Sequence, residues 1–343
     1  MKIKRYLEKK AEQFLNGRRS IRDNKTKNIF DKRYYIFPEN IIVKNYHKKP
    51  IAVFNPGALL KDDKLKVFPR LIFDYYKYTS SVGCFEVEIG RILKGILDKN
   101  FETKIILYPE FLWEFLGIED PRVIENNEEI LMLYTGKGYV DFNKKRRDVL
   151  SFAKLDKDFK IKRKDYFKIS DRNEFFLPET IKDSAFLDFK EGNVSLLTRI
   201  QLKDKFFCWR GIANINKLTI DPESLHPVFA MEEWETKVGW STNTIKLSND
   251  EYLVGWHAVM KNDLSYKNGF AIVNGKGELL GISDYLLYPE GLTENYGDRA
   301  FVIFGNGLVK YEDYIIWIGG ISDYGIGIFI TTLKDIMENI RII

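Results

Sequence analysis

The sequence predicts an all-β fold, a five-bladed β-propeller with a basic, partly helical N-terminal extension, and three observations carry that expectation. After residue 50 the chain is a succession of short segments rich in Val, Ile, Tyr and Phe, broken by turn residues. One unit recurs: an apolar strand, an acidic or Asn/Gly turn, and a second apolar strand. It returns at an interval of about sixty residues, enough for a four-stranded blade with loops, and repeats of that size signal radial arrays.

The first copy reads Ala58-Leu59-Leu60, Lys61-Asp62-Asp63-Lys64, Leu65-Lys66-Val67-Phe68. The second joins Val123-Ile124 to residues 130–134 across the turn 125–129, and the third joins 186–189 to 194–197 across 190–193. The fourth turns through Ser248-Asn249-Asp250-Glu251 and the fifth through Glu312-Asp313. With Asp63, Asn127, Gly192, Asp250 and Asp313 as turn centres, the intervals are 64, 65, 58 and 63 residues. A β-sandwich with evenly spaced hairpins is the alternative, and regularity over the whole length favours the propeller. Residues 331–340 close the chain as a terminal helix or a last strand.

Composition narrows the class. The 343 residues are 45% apolar and 30% charged, which excludes a disordered or collagenous chain. No apolar run is long enough to span a bilayer, and the N-terminus lacks a signal-peptide core. Cys84 and Cys208 read as buried free thiols of a cytoplasmic protein. The three histidines, His47, His226 and His257, show no paired His/Cys spacing, so no metal is expected.

Charge is uneven. Residues 1–50 carry fifteen Lys/Arg against five Asp/Glu, whereas the whole chain is only +5. Leu7, Ala11, Phe14 and Leu15 recur at helical spacing within this extension, and Asn16-Gly17 follows as a stop. Its apolar face is expected to pack on the main domain or on a second copy of the chain, giving a homo-oligomer. A polyanion-binding arm is the weaker reading, and no nucleic acid is expected as a partner. Function is sought in residues 51–343, the catalytic domain of this division.

Equivalent residues of successive blades lie at equivalent distances from the axis. Seven or eight positions before the turn centres stand Asn55 and Asp120, with Lys182-Asp183 slightly further out. Seven positions after the first four centres come Arg70, Tyr134, Arg199 and His257, and Asp323 lies just beyond the same phase of the fifth. Ionisable groups interrupting apolar strands at one phase predict a polar cluster at the mouth of the channel. Such a cluster costs several kcal/mol in desolvation unless its members pair or a ligand binds.

Several of these stretches resemble the mannoside phosphorylases and related mannosidases of glycoside hydrolase family 130. They are Phe54-Asn55-Pro56-Gly57-Ala58 with Arg70, Gly117-Ile118-Glu119-Asp120-Pro121-Arg122, and Lys182-Asp183-Ser184-Ala185-Phe186 with Arg199. Trp234-Glu235-Thr236-Lys237, Trp256-His257 and Trp317-Ile318-Gly319-Gly320-Ile321-Ser322-Asp323 complete the ordered set. The resemblance implies a five-bladed propeller with Asp120 as proton donor. It implies Lys182, Arg199, Lys237 and His257, with Tyr266, as phosphate ligands, and Asn55, Arg70, Asp183 and Asp323 around the sugar. Lys182 departs from the Arg usual there, keeping the charge and losing the fork.

An inverting glycosidase needs an acid and a base, whereas an inverting phosphorylase replaces base and water by phosphate, which needs holding rather than deprotonating. Arg, Lys and His together suit an anion, and the same cations beside an anionic base would weaken it. The expected activity is therefore glycosyl transfer from a β-mannoside, or a similar glycoside, to inorganic phosphate as co-substrate, with no cofactor and with an α-sugar 1-phosphate as product. The alternatives are a hydrolase on the same scaffold, with Glu290 or Glu294 as base, and a sugar-binding propeller without catalysis. Trp113, Tyr134, Trp240 and Trp256 are candidate faces for the sugar ring.

Overall fold

The computed structural model describes residues 2–140, 145–172, 174–203 and 205–343. Its strands form five separate sheets, and each contains one of the five hairpins of the repeat. The hairpin pairs are Ala52–Lys61 with Lys64–Ile72, Gly117–Asn126 with Glu129–Tyr139, Ile181–Lys190 with Asn193–Leu202, Glu235–Lys246 with Glu251–Met260, and Ile303–Tyr311 with Tyr314–Ile321. The polar turns come where the apolar runs stop because Asp and Asn accept φ > 0 at lower cost than apolar side chains: Asp62, Asp63 and Asn127 sit there, with Glu128 beside them.

Buried side chains fill the space between neighbouring sheets. Phe68, Val82, Val123 and Met132 join the first to the second. Leu133, Phe152, Phe186 and Phe207 join the second to the third. Leu197, Cys208, Trp240 and Trp256 bridge the third and fourth, and Leu253, Phe270, Leu308 and Trp317 bridge the fourth and fifth. Each large apolar side chain among them contributes about 1.5–3 kcal/mol by leaving water. The opening strands approach closely: a Cβ at Gly57 would stand 2.6 Å from the Pro121 carbonyl oxygen of the next sheet. The arrangement is all-β and propeller-like.

The N-terminal segment is partly helical, as expected, and its helix packs on the main body of the chain. Its α-helix is confined to Lys2–Gly17, and Ile3, Leu7 and Ala11 are buried against the second and third sheets of the same chain. Lys10 pins the helix by donating to the Glu223 and Leu225 carbonyls at 2.8 Å each. That apolar face is therefore covered within the chain and is not available to a second copy. Nor do the sheets begin at residue 50. Lys32–Ile36 pairs antiparallel with Gly325–Thr332 as outer strand of the fifth sheet, and Ile41–Val43 joins the first. The chain's beginning thus covers an edge that its end would leave unpaired. At the C-terminus both expectations hold in succession: a helix Leu333–Met337, then a strand Ile340–Ile342 on the fourth sheet.

Candidate active site

All five opening strands lose register near their starts, three of them between Phe54 and Gly57, Glu119 and Arg122, and Lys182 and Ala185. In these three, the residues that drop out of the ladders are Asn55-Pro56, Asp120-Pro121 and Asp183-Ser184. Proline is tolerated there because a bulge leaves its missing N–H without consequence. Asn55, Asp120 and Asp183 adopt φ of 45°, 56° and 50°, a region Asn and Asp enter more readily than other side chains. Bulges re-aim side chains, and these three side chains line one pocket at the mouth of the ring.

All ten residues singled out in the sequence line that pocket: Asn55, Arg70, Asp120, Lys182, Asp183, Arg199, Lys237, His257, Tyr266 and Asp323. Four further residues join them that the repeat phase does not select: Glu119, Arg299, Val302 and Phe304. Glu119 is legible as the neighbour of Asp120 in Glu-Asp-Pro-Arg. Arg299 carries no sequence signal, because it sits on the loop before the fifth sheet, outside the repeat phase.

The pocket has two chemical ends. At one, Asn55 Nδ2 donates to Asp120 Oδ1 at 2.9 Å, and Arg70 Nη1 reaches the same oxygen at 3.5 Å. Arg70 Nη2 and Lys137 Nζ both donate to Glu119 Oε1, at 2.8 and 3.0 Å. The described contacts of the Asp120 carboxyl fall on Oδ1. Burial pushes the Glu119 carboxyl up, but Arg70, Lys137 and Lys182 overcome it and hold Glu119 below the ordinary range. Asp323 goes the other way: burial raises it to about 6, against the pull of Arg70 and Arg299 and with help from Asp120.

At the other end stand Lys182, Arg199, Lys237, His257, Tyr266 and Arg299. Lys182 donates to Asp148 at 3.1 Å. Asp183 is the carboxylate among these cations. Its Oδ2 lies 2.7 Å from Arg199 Nε and 3.9 Å from His257 Nε2, and its Oδ1 accepts from Arg122 at 3.3 Å. Burial opposes its charge, yet Arg199 and then Arg122 hold it well below the carboxylate range. Asp183 thus lines the pocket as a counter-charge to these cations. Gly239 permits this packing, since a Cβ there would meet His257 Cε1 at 2.6 Å and Asp183 Oδ2 at 2.9 Å.

Lys237 has no carboxylate within ion-pair distance among the described residues. Burial, then Arg199 and Lys182, depress its ammonium well below the ordinary lysine value. His257 is likewise held well below its usual value, first by burial and then by Arg199 and Lys237 against the pull of Asp183, so the ring is neutral. Ser241 Oγ lies 2.9 Å from His257 Nδ1. With Ser241 donating there, Nε2 carries the hydrogen. Both His257 Nε2 and Arg199 Nη1 are buried without a hydrogen-bond partner among the described residues. Open donors in a cationic hollow suit an anionic ligand. The Tyr266 ring stacks on His257 with centroids 5.6 Å apart, and the Arg299 guanidinium lies 4.8 Å from the Tyr266 centroid.

Other sequence candidates lie elsewhere. Trp240 and Trp256 are fully buried core between sheets, and Tyr134 is buried with its hydroxyl on Glu114. Trp113 stacks on Phe111 outside the pocket. Glu294 is tied to Arg33 at 2.5 Å and Tyr35 at 2.8 Å, and Glu290 lies 3.4 Å from Arg33. These two glutamates brace the loop before the fifth sheet, and neither lines the pocket. A separate hollow beside the N-terminal helix, among Lys4, Lys145, Arg147, Glu179 and Lys203, gathers surface charge without the bulged, buried acids of the mouth.

The mouth of the propeller-like ring thus joins a carboxyl cluster to a cationic hollow. The sequence matches the glycoside hydrolase family 130 profile, described as beta-1,4-mannooligosaccharide phosphorylase, over residues 20–341. The chain belongs to this family. It is 27% identical over 308 residues to a beta-1,2-mannobiose phosphorylase of Thermoanaerobacter sp. (strain X514), covering 83% of this chain and 92% of that one. Its fold resembles that of the Listeria innocua beta-1,2-mannobiose phosphorylase in complex with beta-1,2-mannobiose, at a TM-score of 0.66 and 17% identity, over 90% of this chain and 98% of that one. It also resembles MPT-4, a mannose phosphorylase from Leishmania mexicana in complex with a phosphate ion, at 0.59 and 14%, over 100% and 98%. No helix of the described chain is long and apolar enough to cross a membrane.

Proposed function

We propose that the protein is an inverting glycoside phosphorylase on a five-bladed β-propeller, cleaving a β-mannoside with inorganic phosphate to give an α-sugar 1-phosphate. The observation that carries this reading is the cationic end of the pocket. Lys182, Arg199, Lys237 and Arg299 converge there around Asp183, with two buried donors left open. A hydrolase has no use for such a hollow, and the base candidates Glu290 and Glu294 are bound to Arg33. The phosphorylase relatives and the phosphate complex of the Leishmania enzyme support the same class.

In this mechanism a phosphate oxygen attacks the anomeric carbon while the glycosidic C–O bond breaks on the opposite face. Asp120 delivers the proton that the leaving oxygen needs. His257 Nε2–H and Arg199 Nη1–H donate to the anion and hold it, and neither group has to titrate. An anion there offsets the surrounding positive charge that disfavours the Lys237 ammonium, and so favours its charged form. Asn55, Arg70 and Asp323 surround the sugar. The free buried thiols Cys84 and Cys208 fit a reducing, cytoplasmic compartment.

The test is mannobiose cleavage with and without phosphate, with the product's anomeric configuration read by NMR. Turnover should require phosphate and yield the α-1-phosphate. Full-rate cleavage without phosphate would make the protein a hydrolase.

A further inference from the structure

Around the pocket mouth, exposed aromatic side chains gather on three segments. Residues 73–79 follow the strand that carries Arg70 and hold Tyr75, Tyr76 and Tyr78; Tyr76 is 87% exposed. Phe115, 53% exposed, stands just before the strand that carries Glu119 and Asp120. Tyr296, 77% exposed, lies three residues before Arg299. The segments are joined to one another. Lys77 Nζ lies 5.9 Å from the Tyr76 ring and 5.8 Å from the Phe115 ring. Tyr75 and Tyr78 meet edge to face at 5.6 Å, and Tyr78 Oη donates to Asp298 at 2.9 Å, beside Arg299. Exposed apolar rings clustered at a polar pocket mark a ligand surface.

We infer that this rim binds the pyranose rings on the leaving-group side of substrates longer than a disaccharide. The inference rests on the inverting reading above. In an inverting displacement nucleophile and leaving group occupy opposite faces of the anomeric carbon. The cationic hollow is built mainly by the third and fourth sheets, through Lys182, Arg199, Lys237, His257 and Tyr266, with Arg299 reaching in from the loop before the fifth. Asn55, Arg70, Asp120 and Asp323 come from the first, second and fifth. The leaving sugar therefore points toward the first, second and fifth sheets, the side on which Tyr76, Phe115 and Tyr296 stand. Aromatic faces offer a sugar's C–H surface a flat apolar partner, with Tyr hydroxyls and Lys77 at hand for its edges.

The experiment compares β-linked mannobiose, mannotriose and mannotetraose as substrates of the wild type and of Tyr76→Ala, Phe115→Ala and Tyr296→Ala. Calorimetric binding of mannotetraose without phosphate is the second readout. The variants should lose about two- to tenfold in kcat/KM for the longer substrates and in mannotetraose affinity, with the phosphate KM unchanged. Equal losses at every chain length, or none, would overturn the inference while leaving phosphorolysis standing. Absence of phosphate-dependent turnover in the wild type would sink the mechanistic reading instead. In that case the rim stands only if wild-type mannotetraose binding is still weakened by Tyr76→Ala, and it falls if that binding is absent or unchanged.

Discussion

At the hairpin end of the ring, the strands turn through Lys61-Asp62-Asp63-Lys64, Lys190-Glu191-Gly192-Asn193 and Ser248-Asn249-Asp250-Glu251, charged or small residues mostly open to water. At the mouth end the opening strands carry Asn55, Asp120 and Asp183, each no more than 6% exposed. Both ends are rich in polar and ionisable groups, yet the physics differs. A solvated carboxylate is screened, and its ion pairs are worth at most about 1 kcal/mol. A buried one loses several kcal/mol of hydration and persists only when partners or a ligand compensate. Charge at the hairpin end serves turn geometry and solubility, whereas charge at the mouth is retained at a cost that implies a task.

The contrast is sharpest at the proposed acid. Asp120→Asn keeps the shape and removes the proton, so kcat should fall about 10²–10⁴-fold while the melting temperature changes little. A smaller kcat loss would show that the mouth carboxyl is structural, like those of the hairpins.

Lys237 tests the cationic hollow. Replacement by Met removes a buried, disfavoured charge without stranding a carboxylate partner. Lys237→Met should raise the phosphate KM by about ten- to a hundredfold while thermal stability holds or rises. Arg199→Ala is a poorer probe, because it also strips Asp183 of a buried partner, a change that costs about 3–5 kcal/mol. A Lys237→Met enzyme with unchanged phosphate dependence would move the anion elsewhere.

Asp323 brings in pH. Its carboxyl is raised to about 6 from an ordinary 3.8, so the folded protein binds this proton more tightly than the unfolded chain does. The group's contribution to stability is therefore full below pH 3.8 and is lost as pH rises toward about 6. Thermal melts between about pH 4 and 7 should show wild type losing stability relative to Asp323→Asn as pH increases. Parallel curves would mean that the carboxyl is not buried as described. The smallest effect belongs to the hairpin end: Lys61→Ala, which breaks an exposed pair with Glu125, should barely move the urea unfolding midpoint and leave kcat intact.

Much of the site was legible because a repeat turns sequence phase into spatial position. Asn55, Asp120, Lys182 and Asp183 before the turns, and Arg70, Arg199 and His257 after them, interrupt apolar strands at one level, and a ring brings one level to one place. The reading failed where phase gave no guidance. Trp240 and Trp256 share strands with Lys237 and His257 but pack between neighbouring sheets, and a strand's two faces differ by a single residue. Within residues 1–50 the strand Lys32–Ile36 was not legible for another reason. A basic composition describes solvent-facing positions, and Lys32–Ile36 is a strand whose partner, Gly325–Thr332, lies at the far end of the chain.

The sequence by itself determined the hairpin interval, the charged turns, and the supply of acids and cations near the strand starts, because backbone preference and hydrophobic spacing act between near neighbours. Only the tertiary structure decided that Asp183 answers Arg122 and Arg199, that Arg33 holds Glu294, and that Arg299 joins the cationic hollow. Coulomb attraction and desolvation depend on distance through space, and closing a ring sets those distances without reference to separation along the chain.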